Sequence, residues 1–194
     1  LSLQTAVNAS IIKKPFMIKK TNRLFFALWP SQQVRRAIVD ASLPLSSQLE
    51  GRVIRPQNFH ITLHFIGQVT EDVKRCIHTA AQSVAVDSFN IKLDRFGYFK
   101  RAKILWIGPR QLPDELVRLH QDLGKALSPC GYKSEIRKFN PHVSLMRKCA
   151  RPKAVQHELT IPWPADEFVL VESIQTESAV EYRVIEHYPL LQSG

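Results

Sequence analysis

Apolar positions along this chain follow two spacings, and their order of strand, helix, strand occurs twice. RLFFALWP (23–30) is a short apolar run closed by Pro30, the pattern of a buried strand. SQQVRRAIVDASLPL then begins with a serine suited to an N-cap and places Val34, Ala37, Ile38 and Ala41 on one side, which predicts a helix stopping near Pro44. After a turn at Gly51 and an extended RVIRP, the segment NFHITLHFIG alternates Phe59, Ile61, Leu63 and Phe65 with polar residues, as a half-buried strand does. The second round starts with AKILWIGP (102–109), again an apolar strand closed by Gly-Pro. PDELVRLHQDLGKALSPCG predicts a helix with Pro113 in its first turn, Leu116, Leu119, Leu123 and Leu127 on one face, and Gly131 as its stop. YKSEIRKFNPHVSLMRK closes the round with another strand.

The remaining pieces fit between and after these rounds. TEDVKRCIHTAAQSVAV (70–86) predicts a helix, FNIKLDRFGYF (89–99) a single strand, Lys153 to Glu158 a short helix, and DEFVLVESIQTE and EYRVIEHYPL two more strands. From Leu24 to His60 is 36 residues and from Ile104 to His142 is 38, and both stretches end in His-(Ile/Val)-(Thr/Ser)-Leu. The expected fold class is therefore α+β, an internally duplicated two-fold arrangement of about eight strands with three or four helices.

Residues at i and i+2 of a strand share a face, so His60 emerges with Thr62, and His142 with Ser144. A pseudo-two-fold relation between the rounds brings the two pairs together across a cleft. One neutral imidazole then takes a proton from a nucleophile while a protonated one gives a proton to a leaving oxygen, near neutral pH because an unperturbed histidine titrates at about 6.5. Two hydroxyls suit the non-bridging oxygens of a phosphoryl group. A zinc site using His60 and His64 is the competing reading, but four strand residues span about 13 Å, too far for two rings to share an ion at about 2 Å. His64 is expected at the cleft edge or on the surface, with His78, His120, His157 and His187 structural or solvated; no metal or cofactor is called for.

Composition narrows the setting. The 194 residues suffice for one domain, or two lobes sharing a core, without staples. No apolar run approaches the roughly 20 residues of a membrane-spanning helix. Cys76, Cys130 and Cys149 are odd in number and lack ligand spacing, so three reduced thiols and a cytoplasmic location are expected. Residues 1–16 lack the features of a secretory signal, and Met17 is the natural start; 1–16 are expected to be a poorly ordered extension and 17–194 the domain. The formal charge of +10 falls only to +8 without Lys13 and Lys14, which favours an anionic partner. The basic pairs 100/101, 137/138 and 147/148 stand beside predicted strand ends, where a phosphate-binding cleft could collect them.

Five segments in order, RLFFALWP, NFHITLHFIG, FGYFKRAKILWIG, FNPHVSLMRK and FVLVESIQTESAVEYRVIEHYPL, resemble the two-histidine phosphoesterases, and within them the RNA 2′,3′-cyclic phosphodiesterases, historically called 2′-5′ RNA ligases. The resemblance implies a bilobal fold of two antiparallel sheets around a central cleft, with helices on the outer faces. It implies hydrolysis of 2′,3′-cyclic phosphate ends of RNA or nucleotides to 2′-phosphates, reversible 2′-5′ joining in some members, a monomer without membrane association, and no cofactor. Carried over, His60 is the general acid to O3′, His142 activates the attacking water, and Thr62, Ser144 and Arg147 bind phosphate oxygens. Ser144 stands where the family often has Thr, which keeps the hydroxyl. Strict alternation would turn Arg147 away from His142, so its role requires a strand end or bulge near Met146.

Overall fold

Why the two rounds form strands, and where strict alternation breaks, is visible in a computed structural model of the chain, which describes residues 22–135, 137–152, 159–176 and 180–192. The expected extension 1–16, the start at Met17, and the short helix from Lys153 to Glu158 with His157 lie outside the described residues. Among those described there are ten strands: β1 (Asn22–Leu28), β2 (Arg52–Val53), β3 (Ile61–Val69), β4 (Phe89–Leu93), β5 (Arg95–Phe99), β6 (Ile104–Gly108), β7 (Val143–Arg147), β8 (Ile161–Ala165), β9 (Glu167–Gln175) and β10 (Val180–Pro189). The three α-helices are α1 (Gln32–Ser46), α2 (Glu71–Gln82) and α3 (Asp114–Leu127). The strands form two four-stranded antiparallel sheets, ordered β10-β9-β1-β3 and β2-β7-β6-β5, with a separate β4-β8 pair. Each large sheet takes two strands of one round as neighbours, β1 beside β3 and β6 beside β7. The α+β class and the two-fold duplication are therefore present in the architecture.

The helices form for the reasons their sequences suggest. Ser31 accepts a hydrogen bond at Oγ from the Val34 amide at 3.3 Å, and α1 buries Val34, Ile38 and Leu45. The helix passes Pro44 and ends at Ser46, where the sequence alone predicts a stop, because burying Leu45 holds the last turn in place. In α3, Leu116, Leu119, Leu123 and Leu127 are all fully buried in the main core. A second, smaller cluster, Phe25, Ala27, Val169 and Val171, lies on the opposite face of the first sheet, with Trp29, Tyr182 and Val184 packed against it.

Three expectations are corrected by long-range pairing. The single strand at 89–99 is two strands in different sheets, because Asp94 makes a corner: its amide donates to Gly108 O at 3.2 Å and its Oδ1 accepts from the Arg110 amide at 2.7 Å. Ile161–Ala165 becomes a strand despite two prolines, burying Ile161, Trp163 and Ala165 while Pro162 and Pro164 face outward. Cys76 and Cys130 are joined as a disulfide, with Cα atoms 5.7 Å apart, tying α2 to the short turn Ser128–Cys130 that follows α3. Only Cys149 is a free, buried thiol. A pair 54 residues apart carries no spacing signature, and packing of α2 beside that turn is what brings the sulfurs together.

The feature that positions everything else is a repeated β-bulge. On β3, Thr62 pairs with Ala27 of β1 and His64 with Phe26, so Leu63 has no opposite residue. On β7, Ser144 pairs with Trp106 of β6 and Met146 with Leu105, so Leu145 has none. Each bulge sits at the leucine that ends the repeated tetrad, and after it two consecutive residues are buried: Leu63 and His64 in one sheet, Leu145 and Met146 in the other. His64 is thus the counterpart of Met146, turned inward, and not the cleft-edge or surface residue that strict alternation predicts.

Buried, His64 is fully engaged. Its Nε2–H donates to the His120 carbonyl at 2.7 Å and its Nδ1 accepts from the Tyr132 hydroxyl at 3.0 Å. Its ring stacks on His120 at 4.3 Å, and His120 stacks on Phe139 at 3.9 Å. The His120 Nδ1–H in turn donates to Leu63 O, the carbonyl at the bulge, at 3.1 Å. Desolvation by burial pushes His64 down to about 4, outweighing the hydrogen bond to the His120 carbonyl that raises it, with the His120 charge lowering it further. Gly124 permits this approach of α3, since a Cβ there would lie 2.7 Å from Ser134 Oγ and 3.1 Å from His64 Cε1.

Replacing His120 removes the donor to the bulge carbonyl and the middle ring of the stack together. His120→Ala is expected to lower the free energy of unfolding by about 2–3 kcal/mol in urea denaturation. A change below about 0.5 kcal/mol, the usual range for surface substitutions, would show that the stack does not hold the bulge.

Candidate active site

The site is assembled from two copies of Asn-x-His, one ahead of β3 and one ahead of β7. His60 donates from Nδ1 to the Asn58 carbonyl at 2.7 Å, and His142 from Nδ1 to the Asn140 carbonyl at 2.8 Å. The same i−2 carbonyl anchor in both copies assigns the Nδ1–H tautomer and leaves each Nε2 available. Neither histidine lies within its ladder, as the sequence reading has it; each is the residue just before the first strand position, Ile61 or Val143. The first anchor is itself held, because Asn58 closes the short turn Pro56–Asn58 and its side chain donates to Val180 O at 3.2 Å on β10.

Each imidazole sits against aromatic rings. Around His60 are Phe25 at 4.9 Å, Trp29 stacked at 5.8 Å, and Tyr182 edge-on at 5.2 Å. Around His142 are Phe99 edge-on at 4.8 Å and Trp106 at 6.0 Å. Trp106 lies on the bare backbone of Gly97, where a Cβ would overlap its six-membered ring, and the Arg95 guanidinium stands 5.1 Å over the indole. Desolvation by this surround pushes His60 down to about 4; the Asn58 carbonyl opposes that, and the positive charges of His142 and Arg147 add to it. His142 is also lowered, by desolvation first, with its Asn140 anchor raising it and Arg147 lowering it. With both lowered from 6.5, the two rings are neutral at neutral pH.

A pocket of about 230 Å³ lies where the two large sheets face each other. His60, Ser144 and Arg147, one from the first round and two from the second, line it together with Arg52, Arg55, Asn58 and Tyr182. Of the five residues singled out in the sequence, these three are brought together directly. His142 is two residues before Ser144 and acts on His60 through its charge, while Thr62 lies two residues after His60, half-buried opposite Ala27. Arg147 reaches the pocket because the bulge at Leu145 shifts the alternation of β7 by one residue, the geometry its role requires. A larger open cavity of about 640 Å³ surrounds His64 and His120, with both His64 nitrogens engaged there.

Several contributors escape the sequence reading. Phe25 and Tyr182 pack on His60, and Trp106 on His142, from strands whose neighbours sequence does not reveal. Trp29 and Phe99 also meet the histidines, whereas Phe26 is in the core and the Tyr98 hydroxyl donates to Cys149 O. Asn58 and Asn140 had a signal, an asparagine two residues before each repeated histidine.

The 2′-5′ RNA ligase superfamily matches this chain over residues 30–177. The RNA 2′,3′-cyclic phosphodiesterase of Escherichia coli is 26% identical over 182 residues, covering 90% of this chain and all of that protein. That of Aquifex aeolicus is 25% identical, covering 88% and 98%. Among solved structures, Escherichia coli LigT in its apo form superposes with a TM-score of 0.80 at 26% identity, over 89% of this chain and 99% of that one. LigT complexed with 3′-AMP gives 0.81 at 25% identity, over 88% and 99%. The match over most of the chain, on a fold that carries two carbonyl-anchored histidines, shows that this protein belongs to the 2′-5′ RNA ligase superfamily.

Proposed function

We propose that this protein hydrolyses 2′,3′-cyclic phosphates at RNA ends to 2′-phosphates by paired histidine catalysis that needs no metal. The observation that carries this reading is the duplicated anchor: two imidazoles, each fixed by an asparagine carbonyl, of which His60 lines a pocket with Ser144 and Arg147 while His142 stands two residues before Ser144. Relatives named RNA 2′,3′-cyclic phosphodiesterase that align over nearly their whole length support it.

In the proposed reaction, water attacks phosphorus and gives its proton to His142 Nε2. The P–O3′ bond breaks, and O3′ takes a proton from His60 Nε2, leaving the phosphate on O2′. Thr62, Ser144 and Arg147 hold the non-bridging oxygens, Arg147 with paired charge-assisted donors. Burial lowers His60 to about 4, so its service as acid depends on the charge of the bound phosphate, an opposite charge that favours the imidazolium. When a 5′-hydroxyl of RNA replaces water, the same departure of O3′ yields a 2′-5′ linkage. The protein is read as a monomer, and the Cys76–Cys130 bridge removes the reduced-thiol argument for a cytoplasmic location. No helix among the described residues is long and apolar enough to cross a membrane.

Hydrolysis of a nucleoside 2′,3′-cyclic phosphate is expected to persist in excess EDTA, to give the 2′-phosphate, and to fall by about 10²–10⁴-fold in His60→Ala and in His142→Ala. Activity surviving either substitution, or a 3′-phosphate product, would refute the mechanism. A phosphodiester with a p-nitrophenolate leaving group, which departs unprotonated, should rescue His60→Ala and not His142→Ala. Rescue in the opposite pattern would exchange the two roles.

Both histidines titrate below 6.5 in the free protein, so the bell of kcat/KM is expected to be centred on the acid side of 6.5. Arg147→Met removes a positive charge that depresses both, so the whole bell should move to higher pH while kcat/KM drops about tenfold or more. A profile that stays in place would mean that the Arg147 charge does not act on the pair.

A further inference from the structure

The Cys76–Cys130 bridge stands at the entrance to the segment that delivers His142. Between the Ser128–Cys130 turn and β7, no helix or strand is formed, and among the described residues no backbone–backbone hydrogen bond reaches 132–140. Side chains hold this segment instead. Of its described residues only Tyr132 and Phe139 are half-buried, the others being exposed. Tyr132 donates from its hydroxyl to His64 Nδ1 at 3.0 Å, and Phe139 stacks on His120 at 3.9 Å. The next residue, Asn140, supplies the carbonyl that anchors His142. A single residue, Gly131, separates Cys130 from Tyr132. Its φ is 85° and no atom lies within 4 Å of where a Cβ would stand, so nothing but the bridge and the turn restrains the chain at this point.

Two further observations separate this bridge from a cross-link that only holds the fold. The helices it joins are already fixed by apolar burial, α2 through Ile77 and Ala81 and α3 through its four leucines, and a chain of 194 residues has core enough without staples. α2 is also tied to β10, with His78 Nδ1 and the Tyr188 hydroxyl 2.9 Å apart. What the bridge adds is a covalent link from that fixed helix to the start of the loosely held segment. The second observation is access. Cys76 is exposed and Cys130 half-buried, whereas the free thiol of Cys149 is buried. Thiol–disulfide exchange requires such access, and exposed bridges are the ones that open readily.

We infer that the Cys76–Cys130 bridge is a redox switch on His142, with the bridged form active, which rests on the proposed function for its kinetic readout. A dithiol reductant opens it. One thiolate attacks Cys76 Sγ, the S–S bond breaks, and Cys130 leaves as a thiolate that takes a proton. The second thiol attacks the mixed disulfide, releasing the Cys76 thiol and the reductant's own disulfide, so that two electrons and two protons have passed to the protein. A disulfide oxidant reverses the step. With the bridge open, the segment is left with the Tyr132 hydrogen bond and the Phe139 stack, and the carbonyl that orients His142 is no longer fixed. The pocket of His60, Ser144 and Arg147 keeps its own supports, the two ladders and the Asn58 bond to β10. Opening therefore slows turnover and leaves phosphate binding in place.

The test is hydrolysis of a nucleoside 2′,3′-cyclic phosphate by the full chain, bridged or reduced with dithiothreitol, at a temperature where circular dichroism shows both forms folded. Iodoacetamide labelling and mass spectrometry count the open thiols. Reduction should lower kcat by about tenfold or more while KM stays within about threefold, and reoxidation should restore it. Cys149→Ala should respond in the same way. The double variant Cys76→Ser, Cys130→Ser should match the reduced protein and ignore dithiothreitol. Tyr132→Phe keeps the ring and the bridge but lacks the hydroxyl on His64, and should lose kcat without any reductant. An opened bridge with unchanged kcat, or a loss of kcat accounted for by unfolding, would overturn the switch and leave a structural cross-link. If neither form cleaves the substrate, the proposed function fails and the switch is read from the His142 ring signal in proton–carbon correlation spectra, assigned with His142→Gln. A shift of that signal on reduction of the folded protein supports the switch; an unmoved signal overturns it.

Discussion

An unpaired leucine, Leu63 in one sheet and Leu145 in the other, is the constraint on which the site depends. A regular ladder holds side chains in strict alternation, so a strand that presents a hydroxyl to the cleft cannot bury the two residues that follow. The bulge lifts that restriction at the same place in both rounds. Thr62 and Ser144 stay half-buried opposite Ala27 and Trp106, while the next two residues of each strand enter the core. The carbonyl at each bulge is satisfied from outside the pair of strands, Leu63 O by the His120 ring and Leu145 O by the Ile54 amide at 2.8 Å.

The two copies then use the same geometry for different ends. The inward position after the leucine is His64 in one and Met146 in the other, so the first lobe is fastened to α3 by stacked, hydrogen-bonded rings and the second by apolar packing. The next position is Phe65 in one and Arg147 in the other, so one strand supplies a guanidinium to the pocket and its counterpart does not. Duplication provides paired imidazoles, and divergence at these two positions makes the two halves of the site unequal. The stack of His64, His120 and Phe139 also connects the first motif to the residue just before Asn140, whose carbonyl anchors His142.

The surround of each paired histidine has two opposed effects. Aromatic walls exclude water, but they also strip the imidazoles of the solvation that a positive charge needs. The asparagine carbonyls return part of that stabilisation and fix the rings with Nε2 available. The neighbouring Arg147 guanidinium pushes the other way, and both histidines are held below their ordinary value.

Local pattern was enough to make much of this legible. The alternation in NFHITLHFIG and FNPHVSLMRK, the leucine face of α3 and the repeated order of strand and helix are properties of short windows, and they led to the duplicated α+β fold and to His60, Thr62, His142 and Ser144, whereas Arg147 came from the family resemblance against strict alternation. Other features are set by partners distant in the chain. The corner at Asp94 exists because Gly108 and Arg110 bind it, β8 because Phe89–Leu93 pairs with it, and the Cys76–Cys130 bridge because two helical segments pack side by side. His64 shows the division within one motif: sequence identified it as an oddity, but only the slipped register against β1 decided that it faces the core, since a one-residue shift reverses the side of every side chain beyond it.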